Sequence, residues 1–313
     1  QQVLRLASNL ILTRLLFEEA FGLMLLVNAF LQGLQTFSDI GINACIVQNR
    51  RGDDRRFLDT AWTLQVLRAA ILFAVCLALT APVTRFYGHA ELATLIPVAG
   101  LTVLVTGFCS TSLATLERHI DLGRLTVMTL LIQVVSLGVM IVWAWLQPSV
   151  WALVAGAMVA ALLRLLASHT LFAEAANRFA WHRDSVLAIL TFGSWLLINT
   201  PLGFAADQAD RFAIGKLVTR QALGVYQVAI MIGSLPFGLL GQVGAAVIFP
   251  AFSRAAEAGH EIAAVYRETT EIVLVAGGLL IAGLVACGPP FIKLLYDERW
   301  HAASWMVMFI AVG

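Results

Sequence analysis

Four long apolar stretches decide what this chain can become: "AAILFAVCLALTAPV", "TVMTLLIQVVSLGVMIVWAWL", "ALVAGAMVAALLRLLASHTLF" and "EIVLVAGGLLIAGLVACGPPF". A helix crosses a hydrocarbon core in roughly 20 residues, and these stretches approach that length. None alternates apolar with polar at every second position, as a spanning strand would. Backbone polar groups cannot stay unpaired in lipid, so the helix is the conformation left open. The whole chain shares this character: 60% of its residues are hydrophobic and 12% are charged. That charged share is about half of what soluble domains carry. The fold expected is all-α, a polytopic helical membrane protein.

Ten hydrophobic segments are expected, at approximately 1–16, 21–47, 58–81, 92–116, 124–147, 149–172, 186–218, 222–249, 268–290 and 300–313. The longest loops, 173–185 and 250–267, are too short for a folded catalytic domain. P-loop, GxGxxG and GxSxG patterns are absent. A formal net charge of +1 gives no electrostatic footprint for nucleic acid. Cys45, Cys76, Cys109 and Cys287 stand alone, without metal-ligand or disulfide spacing, and read as small buried residues. No catalytic residue, no metal and no cofactor is expected.

Basic residues set orientation. Arg50, Arg51, Arg55, Arg56, Arg118, Arg124, Arg178 and Arg183 fall on one side of the first half, against Arg14 and Arg85 on the other. The arginine-rich side is expected to be cytoplasmic, with the N-terminus. Trp143, Trp145 and Trp151 flank Pro148 as an interfacial belt. Small residues recur every fourth position at Ala70/Ala74/Ala78, Ala152/Gly156/Ala160 and Gly278/Ala282/Ala286, a spacing that lets helices approach closely.

The chain also repeats itself. "TRLLFEEAFGLMLLVNAF" (13–30) aligns with "GKLVTRQALGVYQVAIMI" (215–232), 202 residues on, with Arg14 over Lys216 and Gly22 over Gly224. Downstream, Pro82 and Arg85 fall over Pro290 and Lys293. This predicts two parallel six-helix repeats, the second incomplete, as in many secondary transporters with the path between the halves. The expected division is a lobe over 1–172, a cytoplasmic linker over 173–185 and a second lobe over 186–313, truncated after about four helices.

In "NTPLGFAADQADRFAIGKL", Asn199, Gly203, Asp207 and Arg211 form a stripe, joined by Asp210. The repeat places Asp207 over Arg5 and Arg211 over Asn9. A charge at mid-membrane costs roughly 2.5–3.5 kcal/mol even on the lenient scale, so it should face a partner or water. Arg5, Arg68, Asp207, Asp210 and Arg211 are therefore expected to line a hydrated cleft. The alternative for Asp207 and Arg211 is mutual neutralisation near the headgroups. Arg164 is expected to snorkel to the surface. Asn9, Asn28, Gln32, Gln65 and Asn199 are candidate sugar contacts, although helix-to-helix bonds are the commoner use of such residues. The run "RRGDDRR" (50–56) reads as a solvated loop beside anionic lipid.

"ASNLILTRLLFEEAFGLMLLVNAFLQGLQTFSDIGINACIVQ", "DQADRFAIGKLVTRQALGVYQVA", "FPAFSR" and "LLYDERWHAA" together resemble the bacterial polysaccharide transporters. These are oligosaccharide flippases of the superfamily that holds the MATE antiporters and the lipid II flippase. Two positions depart from that pattern: Glu18-Glu19-Ala20 stands where Pro-Glu-Asp is usual, and Asp297 where Gly is usual. The resemblance implies transport of a polyprenyl-pyrophosphate-linked oligosaccharide to the outer leaflet, with lipid-linked oligosaccharide and membrane lipids as partners and polysaccharide polymerase machinery as a further one. It also implies a MATE- and lipid-flippase-like fold, with H+ or Na+ as possible coupling ions. Its members usually have twelve or more helices, so the chain is expected to be a piece of a longer protein. A MATE-like cation-coupled antiporter of small molecules is the alternative, with Asp39, Asp207 and Asp210 as its acidic candidates.

Overall fold

A computed structural model describes residues 2–119, 121–171, 177–243 and 262–312. The described residues are helical and contain no strand. They divide into two compact units, 1–220 and 221–313.

The first unit contains α1 (Gln2–Leu15), α2 (Glu18–Phe37), α3 (Ile42–Gln48), α4 (Arg55–Tyr87), α5 (Leu92–Gly107), α6 (Ser112–Arg118), α7 (Leu122–Leu146), α8 (Trp151–Thr170) and α9 (Arg183–Leu217). Helix ends follow local chemistry. Glu18 and Glu19 complement the dipole in the first turn of α2. Asp54 accepts from the Arg56 amide to start α4, and Gly88, at φ 73°, ends it in the left-handed conformation. The second unit contains α10 (Arg220–Gly233, whose first residue belongs to the first unit), α11 (Leu235–Val243), α12 (Ile262–Leu295) and α13 (Ala303–Val312). Within it, α12 packs on α13 and α11.

Among the described residues six helices are long and apolar enough to cross a membrane, with α10 and α11 taken together as one, or seven if the bent pair α5 and α6 is one span. The chain is a multi-pass membrane protein. The sequence suggests ten such segments, and the difference has physical causes. The apolar part of α1 covers only Leu6–Leu15. In α9, Asp207, Asp210, Arg211 and Lys216 dilute the apolar run. The α13 helix has 10 residues.

Two expected segments are broken. Segment 21–47 stops at Ser38, turns through Gly41 at φ 61°, and resumes as α3. The Asp39 carboxylate accepts from the Gly41 amide at 3.0 Å and holds the turn. Segment 92–116 divides into α5 and α6 with a bend of 62°.

Packing corrects two further expectations. Of the three small-residue rows, Ala152/Gly156 packs: a Cβ on Gly156 would overlap Met140 of α7. Ala70/Ala74/Ala78 and Gly278/Ala282/Ala286 are exposed. The α4–α5 contact uses the neighbouring face instead, with Ala69 against Gly107 and Cys76 against Gly100. Cys45, Cys76 and Cys109 are buried as expected, whereas Cys287 is exposed.

Residues 177–182 run extended along α4. Their amides at Arg178, Ala180 and His182 donate to Asp59 Oδ1, Thr63 Oγ1 and Thr60 Oγ1 at 3.0, 3.0 and 3.4 Å. Polar side chains of α4 thus take the hydrogen bonds that a segment without helix or sheet must otherwise find in water. At the end of α3, just before the 50–56 loop, Arg118 Nη1 donates to the carbonyls of Ile46, Val47 and Asn49 at 3.1, 2.9 and 2.6 Å. Its Nε pairs with Asp53 at 3.0 Å. The loop touches solvent, but this arginine fixes its base.

Candidate functional site: a polar cavity at two helix breaks

A helix that stops leaves carbonyls without partners. Two stop close together here, at the ends of α2 and α5, and one stripe of α4 serves both. Trp62, Gln65 and Arg68 recur every third position on α4. Trp62 Nε1 donates to the Phe108 carbonyl at 3.3 Å. Gln65 Nε2 donates to the carbonyls of Gly107 and Cys109 at 2.9 and 3.1 Å. Arg68 Nη2 donates to the Gln35 carbonyl at 2.7 Å, and its Nε to Ser38 Oγ at 3.1 Å. Its Nη1 lies 3.8 Å from Asp39 Oδ1. His169 of α8 places Nε2 2.8 Å from the same Phe108 carbonyl.

The bend between α5 and α6 is pinned from the other side as well. The Ser110 amide donates to Ser168 Oγ at 3.0 Å, and the Ser110 hydroxyl donates to Asn177 Oδ1 at 2.6 Å. Below the breaks, Ile42, Ile46, Phe57, Leu64, Ala114 and Ile189 form an apolar floor that joins α3, α4, α6 and α9.

Between the breaks is a cavity of about 510 Å³. Gln35, Asp39, Asn43, Gln65, Arg68, Thr106, Glu117 and Arg164 supply its polar wall, and Leu72, Val103 and Leu113 its apolar one. The wall carries two guanidinium groups and two carboxylates. Arg68 leans on Asp39. Among the described residues no carboxylate lies within ion-pairing distance of Arg164. A cavity of this size, with a few convergent polar groups in an otherwise apolar body, suits a polar or anionic ligand group.

Of the residues expected at a cleft, Arg68 and Gln65 line this cavity. Asn28 and Gln32 lie exposed on α2, away from its wall, and Asp210 is exposed on α9. Asn9 is half-buried on α1. Arg211 is half-buried, and among the described residues its buried Nε has no hydrogen-bond partner. The side chains of Arg5, Asn199 and Asp207 lie outside the described residues. Arg164 is exposed, as expected, and its side chain also borders the cavity. Sequence reasoning misses Gln35, Glu117 and Arg164 as wall residues. The available signal is "TFSDIG", whose Asx turn and glycine mark a break inside an apolar segment and so a place where polar groups must gather.

The sequence profile of polysaccharide biosynthesis proteins matches residues 11–305. The teichuronic acid biosynthesis protein TuaB of Bacillus subtilis is 22% identical over 284 residues, covering 89% of this chain and 58% of that protein. The succinoglycan biosynthesis transport protein ExoT of Rhizobium meliloti is 22% identical over 299 residues, covering 95% and 60%. The amylovoran biosynthesis protein AmsL of Erwinia amylovora is 21% identical over 268 residues, covering 83% and 68%. The chain thus spans about three-fifths of the length of the first two relatives. Its fold is similar to a solved inward-facing conformation of a multidrug resistance MATE family transporter of the MOP superfamily, with a TM-score of 0.73 at 16% identity, over 99% of this chain and 76% of that one. With the profile matching nearly its whole length, this helical membrane chain belongs to the polysaccharide biosynthesis protein family.

Proposed function

We propose that the protein moves a polyprenyl-pyrophosphate-linked oligosaccharide from the cytoplasmic to the outer leaflet of the bacterial inner membrane during surface polysaccharide biosynthesis. The observation that carries this reading is the polar cavity lined by half-buried Arg68, with exposed Arg164 at its edge. Family membership supplies the polysaccharide context, and the relative named as a transport protein supplies the class of activity. The reading needs no chemistry from the protein and makes it a carrier, not an enzyme.

In this mechanism lobes 1–172 and 186–313, joined by a cytoplasmic linker at 173–185, open alternately to the two leaflets. The N-terminus and the 50–56 loop face the cytoplasm. Arg68 and Arg164 take the pyrophosphate. Asp39 holds Arg68 while the cavity is empty and yields to the ligand. Arg5 and Arg211 receive the head group as the lobes rock, with Asp207 and Asp210 balancing them in the empty state. Asn9, Asn28, Gln32, Gln65 and Asn199 are the sugar contacts of this scheme, and polymerase machinery consumes the product.

Flipping in proteoliposomes tests it. Arg68→Gln with Arg164→Gln should slow a pyrophosphate-linked glycolipid by about 10-fold or more, in line with loss of a charge-assisted hydrogen bond. A neutral glycolipid should be slowed far less. Equal loss for both would assign the arginines to folding and end this reading. A second reading rests on Asp39 and Glu117 in the same wall: cation-coupled antiport. Extrusion of a cationic dye driven by a proton or sodium gradient, and abolished by Asp39→Asn, would establish it instead.

A further inference from the structure

A second concavity of the first unit has the opposite character. It lies where α2, α4 and α9 meet, at the end of α4, and has a volume of about 800 Å³. Its walls are Phe30, Pro82, Val83, Phe86 and Phe212, and its one charged lining residue is Lys216. Among the described residues Lys216 has no carboxylate partner. Its ammonium donates to the Phe86 carbonyl and lies 4.9 Å from the centre of the Phe86 ring.

We propose that this groove is a binding site for an anionic phospholipid, with one acyl chain along the phenylalanines and the phosphate on Lys216. Three observations carry the assignment. The first is charge: the cation sits at the end of an apolar trough, the arrangement an anionic head group with a chain requires. Arg85, exposed in the last turn of α4, adds a second positive charge at that end. The second is placement. The α4 helix, long and apolar enough to cross a membrane, ends at Tyr87 beside the end of α9 at Leu217, so the groove opens where α4 reaches the head groups. An ammonium there meets the phosphate layer, while the walls stay within the hydrocarbon.

The third is preorganisation. A Cβ on Gly215 would overlap Leu26 of α2 and crowd Tyr87 of α4, so glycine lets α9 seat against both helices beside the groove. The wall is thus set by close packing in this conformation, and Phe86, 55% exposed, presents an open face to the lipid. The ammonium is held by one carbonyl and one ring face, which leaves N–H donors for an incoming phosphate. The site lies outside the Arg68 cavity and shares no lining residue with it.

The test uses the purified full chain in zwitterionic micelles and phosphatidylglycerol bearing a photoactivatable acyl chain. Cross-linked peptides should map to 82–87 and 212–217. Unlabelled phosphatidylglycerol should compete, and phosphatidylcholine should compete about fivefold less well, the difference expected from one basic contact. Lys216→Gln should erase that preference and Lys216→Arg should keep it. Ala213→Trp, which fills the trough, should remove cross-linking there while the variant still elutes as a single species. Equal competition by both lipids, or a preference that survives Lys216→Gln, would overturn the head-group contact. Undiminished cross-linking in Ala213→Trp would overturn the groove.

Discussion

The cavity beside the middle of α4 and the groove along its last two turns use the same interaction to different ends. In each, a basic side chain caps a carbonyl in the last turn of a helix: Arg68 on Gln35, Lys216 on Phe86. Cations at helix C-termini are favourable in general. The surroundings differ because the helices end in different places. The α2 and α5 helices stop inside apolar segments that then continue as α3 and α6, so their carbonyls are released within the bundle. In lipid those groups must be paired, and Trp62, Gln65 and Arg68 gather to pair them. The α4 helix runs on through Pro82 to a turn, and α9 also ends at one, where water can serve the last carbonyls. Nothing there requires polar walls, and phenylalanines line them. Depth of the helix end, more than composition, separates a polar cavity from an apolar groove.

The largest effect is expected at the closest approach of two helices beside the cavity. Gly107 faces Ala69, and a Cβ on the glycine would overlap the alanine Cβ. Gly107→Leu should force α5 off α4 and cost about 3 kcal/mol or more, at the top of the range for overpacking. Gly88 at the groove end is required for the opposite reason. It has φ 73°, and a Cβ added there would meet nothing within 4 Å. Gly88→Ala should cost about 1–2 kcal/mol, the strain of a left-handed non-glycine residue. Thermal unfolding in detergent compares the two. If Gly88→Ala is the more damaging, the contrast between steric and conformational need is wrong.

A smaller effect separates hydrogen bonding from packing at the break. Gln65→Leu keeps the volume but removes both donors from the Gly107 and Cys109 carbonyls. A loss of about 1–2 kcal/mol is expected, since interhelical hydrogen bonds in membranes are modest and an orphaned carbonyl adds its own cost. Asn28→Leu and Gln32→Leu serve as controls, because both side chains are exposed on α2 and their loss should change unfolding little. Parity among the three would remove Gln65 from its role at the break.

Much of the fold was legible because apolar length and loop chemistry are local properties. The helical class follows from short stretches, whereas the caps of α4 at Asp54 and Gly88 go unread although their residue types are typical. Arg68 was legible as well, since an arginine deep in an apolar segment needs company. Arg164 was legible as a surface residue, and it is exposed. That it also borders the cavity was not legible, because the bend at 108–111, set by α4 and α8 together, places the cavity rim beside it. The small-residue rows failed for a related reason. Four-residue spacing shows that a helix has a smooth face, while the partner decides which face is used, and α5 packs on Ala69 and Cys76.

The smallest expected effect lies at the groove end, where the turn after α4 is tied to the turn after α9. Glu91 Oε1 and Arg220 Nη1 are 2.6 Å apart. A hydrogen bond from its own backbone amide, first, and then the Arg220 guanidinium hold the Glu91 carboxyl below its ordinary range. A carboxylate favoured in this way in the folded state contributes stability above its ordinary pKa, and loses it as pH falls through the lower folded value. Both partners are substantially exposed, so the contribution should be under about 1 kcal/mol and should shrink in high salt. Glu91→Gln should therefore lower the unfolding temperature slightly at neutral pH, with the gap to the native chain closing in acid. The Gln65 bonds involve no charge, so Gln65→Leu should show a deficit that neither acid nor salt narrows. A Glu91→Gln deficit that persists unchanged in acid would mean that the turn is held by its backbone bonds alone, and that the groove end owes nothing to this pair.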